Sequence, residues 1–104
     1  MSLRSSVLQQ EIDRNFERAC VMEQRGFITM KLDRLGDVPE ELRGYARAVD
    51  VFNAAFDDHK DFEAFYSSGL DKRTRANALI LDQKHETLRE KFLDVRRVLF
   101  RIRT

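Results

Sequence analysis

The most constraining feature of this sequence is the spacing of its apolar residues, which recur at steps of three and four in three long stretches. At about 100° per residue, this spacing places the side chains on one face of a helix. The three predicted faces carry Leu8, Ile12, Phe16, Ala19, Glu23, Phe27 and Met30, then Leu42, Tyr45, Val49, Phe52, Phe56, His59, Glu63 and Tyr66, then Leu81, His85, Leu88, Phe92, Val95, Leu99 and Ile102. The pattern predicts an all-α protein.

Turn and cap residues set the predicted helix boundaries at about residues 6–35, 38–67 and 71–103. Ser5 and Ser6 are suited to cap the first helix, and Gly36 is suited to end it in a left-handed conformation. The segment Asp37-Val38-Pro39-Glu40 combines a cap, an early proline and an acid, and Asp71 is the predicted cap of the third helix. Short connections between long helices predict an elongated antiparallel three-helix bundle, up, down and up, with coiled-coil-like packing.

Composition narrows the class of protein further. The 104 residues predict one domain, 1–104, and 42% hydrophobic residues are enough for a core. Four glycines and one proline supply too few turns for a many-stranded fold, and no apolar run approaches the ~18 to 20 residues of a membrane span. A net charge of +1 gives no general attraction to nucleic acid, so we expect neither that partner nor a membrane span.

Cysteine content and the first residues bear on location. The single cysteine, Cys20, has no partner for a disulfide within the chain. Residues 1–6 lack the long apolar core of a secretory signal. We therefore expect a reducing, cytoplasmic compartment.

The sequence contains more apolar residues than the core of one three-helix bundle needs. Val21, Ile28, Leu32 and Leu35 lie about 180° from the main face of the first helix. Either they form a partner surface, or Gly26 bends the helix so that its buried face rotates. Phe62 and Phe65 lie away from the Phe52 line, so they either form an interface or close one end of the core.

The last stretch of the chain is basic. Residues 89–104 contain six basic and two acidic residues. Cations near a helix C-terminus are stabilised by the helix dipole, which explains part of this enrichment. Arg96, Arg97, Arg101 and Arg103 are nevertheless candidate anion-binding residues, and Phe100, which points away from the apolar face, is a candidate for the same exposed surface.

Polar residues on the apolar faces raise the question of an enzyme or a metal site. Cys20, Glu23 and His85 are placed at similar levels by an ideal hairpin, but they lack the spacing of a metal motif. Nucleotide, hydrolase and metalloprotease motifs are also missing. We therefore predict no catalytic residue, no cofactor and no metal, and assign these groups to helix register and partner choice.

These patterns predict a non-enzymatic helical module for protein-protein interaction, such as a scaffold, adaptor, small chaperone or assembly subunit. Its expected partner is a protein, first of all a second copy in a homodimer. The predicted interface residues are Val21, Ile28, Leu32, Leu35, Phe62, Phe65 and Phe100. Two alternatives remain: anion or nucleic-acid binding through the basic end, and, more remotely, a small helical enzyme or metal protein.

Overall fold

The computed structural model describes residues 3–31 and 40–103. It contains three α-helices, α1 (Leu3–Arg25), α2 (Arg43–Ser67) and α3 (Arg75–Arg103), with 3₁₀ turns at Glu40–Leu42 and Leu70–Lys72. The molecule measures 57 × 24 × 20 Å. The predicted elongated, all-α three-helix architecture is confirmed.

Helices α2 and α3 form an antiparallel hairpin. The ring centroids of Phe52 and Phe92 lie 6.2 Å apart, and nearer the turn those of His59 and His85 lie 5.5 Å apart. Residue numbers therefore rise along α2 as they fall along α3. The end of α2 at Ser67 agrees with the prediction.

The turn between α2 and α3 differs from the prediction at its cap. The hydroxyl oxygen of Thr74 accepts a hydrogen bond from the backbone N–H of Asn77, at 3.1 Å. Thr74 therefore caps α3, because a cap side chain must reach an unpaired N–H of the first turn. Asp71 lies instead within the short 3₁₀ turn before it and pairs with Lys72 at 3.3 Å.

Helix α1 runs parallel to α2 and antiparallel to α3. Asn15 contacts Tyr45, whereas Phe27, just after α1, contacts Phe52 further along α2. On α3 the order is reversed, since Phe16 packs against Phe100 and Phe27 against Phe92. The helices therefore run up, up and down, rather than the predicted up, down and up.

The early end of α1 explains this order. Gly26 has φ +88°, a left-handed conformation that ends helices and that glycine adopts without strain. Residues 26–31, here called the return segment, are not helical and lead back along the bundle, so that the carbonyl of Lys31 meets the side chain of Asn15. The prediction that the first helix continues to residue 35 is thus wrong for residues 26–31. The predicted cap Gly36 lies outside the described residues.

The other end of α1 and the start of α2 also differ from the predicted boundaries. Ser5 and Ser6 lie inside α1, which already begins at Leu3. Helix α2 begins at Arg43, after a 3₁₀ turn. The predicted cap Asp37 and proline Pro39 lie outside the described residues.

The core occupies one half of the hairpin. Its buried apolar residues are Ile12, Ala19, Met22, Met30, Tyr45, Val49, Phe52, Leu88, Phe92, Val95 and Leu99. In the described chain, no residue in the range 53–87 is buried. Residues 53–87 are here called the open half of the hairpin. They have the predicted apolar spacing, and no third helix within residues 3–31 and 40–103 covers them.

Over the described ranges, none of the helices combines the length and the apolar character needed to cross a membrane.

We expect alanine substitutions at Gly26 and Gly44 to change stability in opposite directions. Neither position has a heavy atom within 4 Å of an added Cβ, so steric contact does not separate them. Gly26→Ala should cost about 1 kcal/mol because an L-residue is strained at φ +88°. Gly44→Ala, within α2, should add about 0.5 to 1 kcal/mol. Urea unfolding followed by circular dichroism measures both, and a stabilising Gly26→Ala would contradict this account of the end of α1.

Candidate functional site: an open groove on the hairpin

A groove with a volume of about 570 Å³ lies between α2 and α3. It begins where α1 ends and extends into the open half of the hairpin. The lining residues are Gly26, Phe27, Phe56, His59, Lys60, Glu63, Leu81, Asp82, His85 and Leu88. The groove thus combines an apolar floor with charged and imidazole side chains.

Aromatic packing fixes the lower end of the groove. The ring of Phe27 lies 5.2 Å from Phe92, 5.8 Å from His85 and 6.4 Å from Phe52. Phe27 therefore closes the core at the level where α1 stops. Above Phe27, the seam between α2 and α3 is open to solvent.

Two histidines lie over the groove. The rings of His59 and His85 are tilted by 56° to each other, with centroids 5.5 Å apart. His59 Nε2 lies 4.0 Å from Glu63 Oε2 on the next turn of α2. These imidazoles can donate to or accept from a polar group on a docked chain, while Phe56 and Leu81 provide apolar contact.

The return segment is held by two asparagine side chains. Asn53 Oδ1 accepts from the N–H of Met30, and Asn53 Nδ2 donates to the carbonyl of the same residue, both at 2.9 Å. Asn15 Nδ2 donates to the carbonyl of Lys31 at 3.0 Å and to the hydroxyl of Tyr45. These bonds satisfy main-chain groups that a helix would otherwise pair internally, and so they hold one wall of the groove in place.

Tyr45 is fully buried beside Asn15. Burial raises the pKa of its hydroxyl from 10.0 to about 12; the hydrogen bond from Asn15 opposes this rise, and the charge of Glu11 adds to it. The hydroxyl is therefore neutral over the physiological pH range, as a buried hydrogen-bonding partner for Asn15 should be.

The predicted interface residues are spread over three regions. Val21 on α1 and Ile28 in the return segment are exposed, with 38% and 47% of their surface accessible. Leu32 and Leu35 lie outside the described residues. The chain leaves the helix at Gly26, the position at which a bend was one of the two predicted explanations. Val21 and Ile28 nevertheless remain exposed, so the partner-surface explanation stays open for them.

Phe62, Phe65 and Phe100 are covered in part by neighbours in the same chain. Lys84 lies over Phe62, Lys72 over Phe65 and Arg96 over Phe100, each cation 5.4 to 5.5 Å from the ring centroid. The edge of Phe16 also packs on Phe100, with centroids 4.9 Å apart. These aromatics lie outside the groove lining, and their part in an interface stays a prediction.

Three of the four candidate anion-binding arginines have interactions within the described part of the chain. Arg96 stacks on Phe100, and Arg97 lies 3.7 Å from Asp94, so both have partners within the chain. Arg101 also takes part in an interaction, and the side chain of Arg103 lies outside the description. Anion binding by these arginines stays a prediction.

The structure describes the side chains of two of the three residues considered for metal binding. Cys20 is free and exposed, and His85 is exposed beside Phe27. Nothing is described for the side chain of Glu23. Within the described part of the chain, histidine, cysteine and acidic residues form no group of three or more that could hold a metal ion.

The sequence analysis assigned no role to Asn15 and Asn53, and it placed the apolar residues of the upper seam in the core. Asn15 and Asn53 lie next to apolar positions, and a polar amide beside a core position is a signal for a main-chain partner. Phe56, Leu81 and Leu88 were predicted as seam residues, but only Leu88 is buried. The groove arises because the third helix, expected to cover them, ends early.

No protein-family model, curated protein or solved structure matches this chain. The function of the open groove is therefore inferred from its own geometry and chemistry. Its apolar floor, its length and its position at the end of α1 are the relevant features.

Tyr45 should make the protein less stable at high pH. The tyrosine ionises near pH 10 in the unfolded chain and near pH 12 in the folded one, so the folded state retains the proton longer. The free energy of unfolding should therefore fall as the pH rises from about 10 towards 12. Chemical denaturation across this range should show a shallower fall for Tyr45→Phe than for the wild type. Equal slopes in the two proteins would contradict the assignment.

Proposed function

We propose that this protein is a non-enzymatic helical interaction module whose open groove docks a second copy of the same chain. The observation that carries the proposal is the uneven cover of the hairpin. Helix α1 and the return segment bury its lower half, whereas seam residues of the open half such as Phe56 and Leu81 are only half-buried. Contiguous apolar surface of this kind is typical of an interaction site.

The chemistry of the groove supports a helix as the docked element. Phe56 and Leu81 supply apolar contact from facing helices, and the groove continues the seam in which α1 already packs. Lys60, Glu63 and Asp82 line the same groove and can set orientation and partner choice. A scaffold, adaptor, small chaperone or assembly subunit would use such a surface.

Self-association is part of the proposal, with a dimer as its smallest form. The exposed residues Val21 and Ile28 add apolar surface close to the end of α1. We further propose a cytoplasmic location, which the free, exposed Cys20 supports because a reducing compartment keeps such a thiol intact.

Substituting Leu81 should abolish association without unfolding the protein. Leu81 lines the groove, whereas Leu79, on the same helix, lies about 200° away and is 57% exposed. Leu81→Glu places a charge in the contact and should weaken self-association by about tenfold or more, and Leu79→Glu should not. Light scattering at several concentrations measures the molar mass, with circular dichroism as the check on folding. A wild-type protein that stays monomeric at every concentration, or equal association of the two variants, would refute the proposal.

Ile28 should contribute to the same association more weakly. It is exposed directly beside Phe27, at the lower end of the groove. Ile28→Asp should keep the wild-type helix content, because Ile28 is not in a helix, and should raise the dissociation constant. Sedimentation velocity measures the monomer and the associated form. A loss of folding instead would show that Ile28 belongs to the core.

A further inference from the structure

The tip of the hairpin, residues 68–75, carries the most exposed of the large apolar side chains that the structure describes. Leu70 lies in the 3₁₀ turn between α2 and α3, and 84% of its surface is accessible. Phe65, at the end of α2, is also exposed, and the ammonium of Lys72 lies 5.4 Å from its ring centroid. An exposed leucine beside an aromatic ring and a cation is typical of a contact surface.

The tip projects past the closed part of the core. Phe27 closes the core near Phe56, and α2 continues from there to Ser67, over about 16 Å. The chain then reverses direction within a few residues and enters α3 at Arg75. Such a convex end fits a flat or yielding surface, whereas a docked helix needs a groove.

Charge changes sign between the tip and the part of α2 next to it. The tip contains three basic residues and one acidic residue, whereas residues 57–64 contain four acidic residues and one basic residue. The acid of the tip, Asp71, pairs with Lys72 at 3.3 Å, and Arg73 and Arg75 are exposed. The tip therefore has a surplus of positive charge beside an acidic band.

The accessible surface of the tip does not depend on residues 32–39. These residues join Lys31 to Glu40, close to the first turns of α2. The nine peptide steps from Lys31 to Glu40 extend over about 32 Å at most, whereas the way to Ser67 and back measures more than about 50 Å. The other undescribed residues adjoin the start of α1 and the end of α3, at the opposite end of the bundle.

We propose that the tip docks on an anionic lipid surface, with Leu70 inserted among the headgroups and Lys72, Arg73 and Arg75 paired with their negative groups. Apolar insertion and attraction to anionic headgroups act together in binding of this kind. The acidic band at residues 57–64 is repelled by the same surface, so the hairpin stands on its tip. In this orientation the groove is free to bind a second copy.

A lipid surface fits the tip better than an acidic protein does. Leu70 is accessible over most of its surface, so a protein partner would need a pocket shaped to enclose it. Headgroups and acyl chains yield and enclose an inserted side chain without such a pocket. The mixture of one apolar projection and several cations is therefore matched by an anionic bilayer as it stands.

Sedimentation of the full chain with vesicles tests the proposal. The protein should bind vesicles made of equal parts phosphatidylcholine and phosphatidylserine, and it should not bind vesicles of phosphatidylcholine alone. Added salt should weaken the binding, because it screens the attraction between exposed charges. Absence of binding to the mixed vesicles, or equal binding to both kinds, would overturn the proposal.

Substitutions at the tip should lower the vesicle partition coefficient. Leu70→Ser removes the inserted side chain and should lower it by about tenfold. The double variant Arg73→Gln, Arg75→Gln should lower it by about 25-fold, since each cation near an anionic surface contributes about fivefold. Wild-type binding by both tip variants would show that another part of the molecule binds the lipid, and the proposal would be wrong.

Matched controls make the same changes far from the tip. Leu93→Ser, and Arg43→Gln combined with Arg47→Gln, replace exposed residues of the same types. These controls should bind the mixed vesicles as the wild type does, and circular dichroism checks that every variant is folded. Loss of binding in the controls as large as in the tip variants would contradict docking through the tip.

A fluorescent side chain reports the insertion itself. The chain has no tryptophan, so Leu70→Trp and its control Leu93→Trp each introduce a single one at an exposed position. On the mixed vesicles, the emission of the Leu70→Trp protein should shift to the blue and be quenched by brominated acyl chains, and that of the control should do neither. An unshifted emission from vesicle-bound Leu70→Trp protein would overturn the insertion of the tip.

Discussion

The paired hydrogen bonds between Asn53 and the main chain of Met30 are the interaction on which the rest of the structure depends. Once Gly26 ends α1, the N–H and carbonyl of Met30 need partners, and Met30 itself is almost fully buried. An unpaired buried main-chain group costs about 1 to 3 kcal/mol. The amide of Asn53 supplies both partners at once, so the return segment can lie against α2 without a neighbouring strand.

The position of the return segment determines how much of the α2–α3 hairpin α1 covers. Because the segment leads from Phe27 back to Asn15, α1 and α2 lie parallel and both end up antiparallel to α3. A continuous first helix would have covered the hairpin over more of its length. The open groove is therefore a direct consequence of the turn at Gly26.

The helical class, the boundaries at Ser67 and near Arg103 and the lower core follow from the apolar spacing of the sequence. The end of α1 does not, since Phe27 and Met30 fit a continued helical face as well as they fit the return segment. What distinguishes the two is tertiary: a ring contact with Phe92 and two hydrogen bonds to Asn53. The sequence predicted the helices that form the groove but not the groove itself. Leu81 and His85 have the spacing of core residues whether or not a helix covers them.

Polar residues interrupt the apolar spacing along the upper part of the seam between α2 and α3. His59 and Glu63 are placed where a permanent core would favour apolar side chains, and His85 is exposed although it contacts Phe27. In the lower half, Phe52, Phe92 and Leu99 fill the corresponding positions. The same apolar spacing thus carries buried apolar residues in the closed half, and imidazoles and carboxylates beside half-buried apolar residues in the open half.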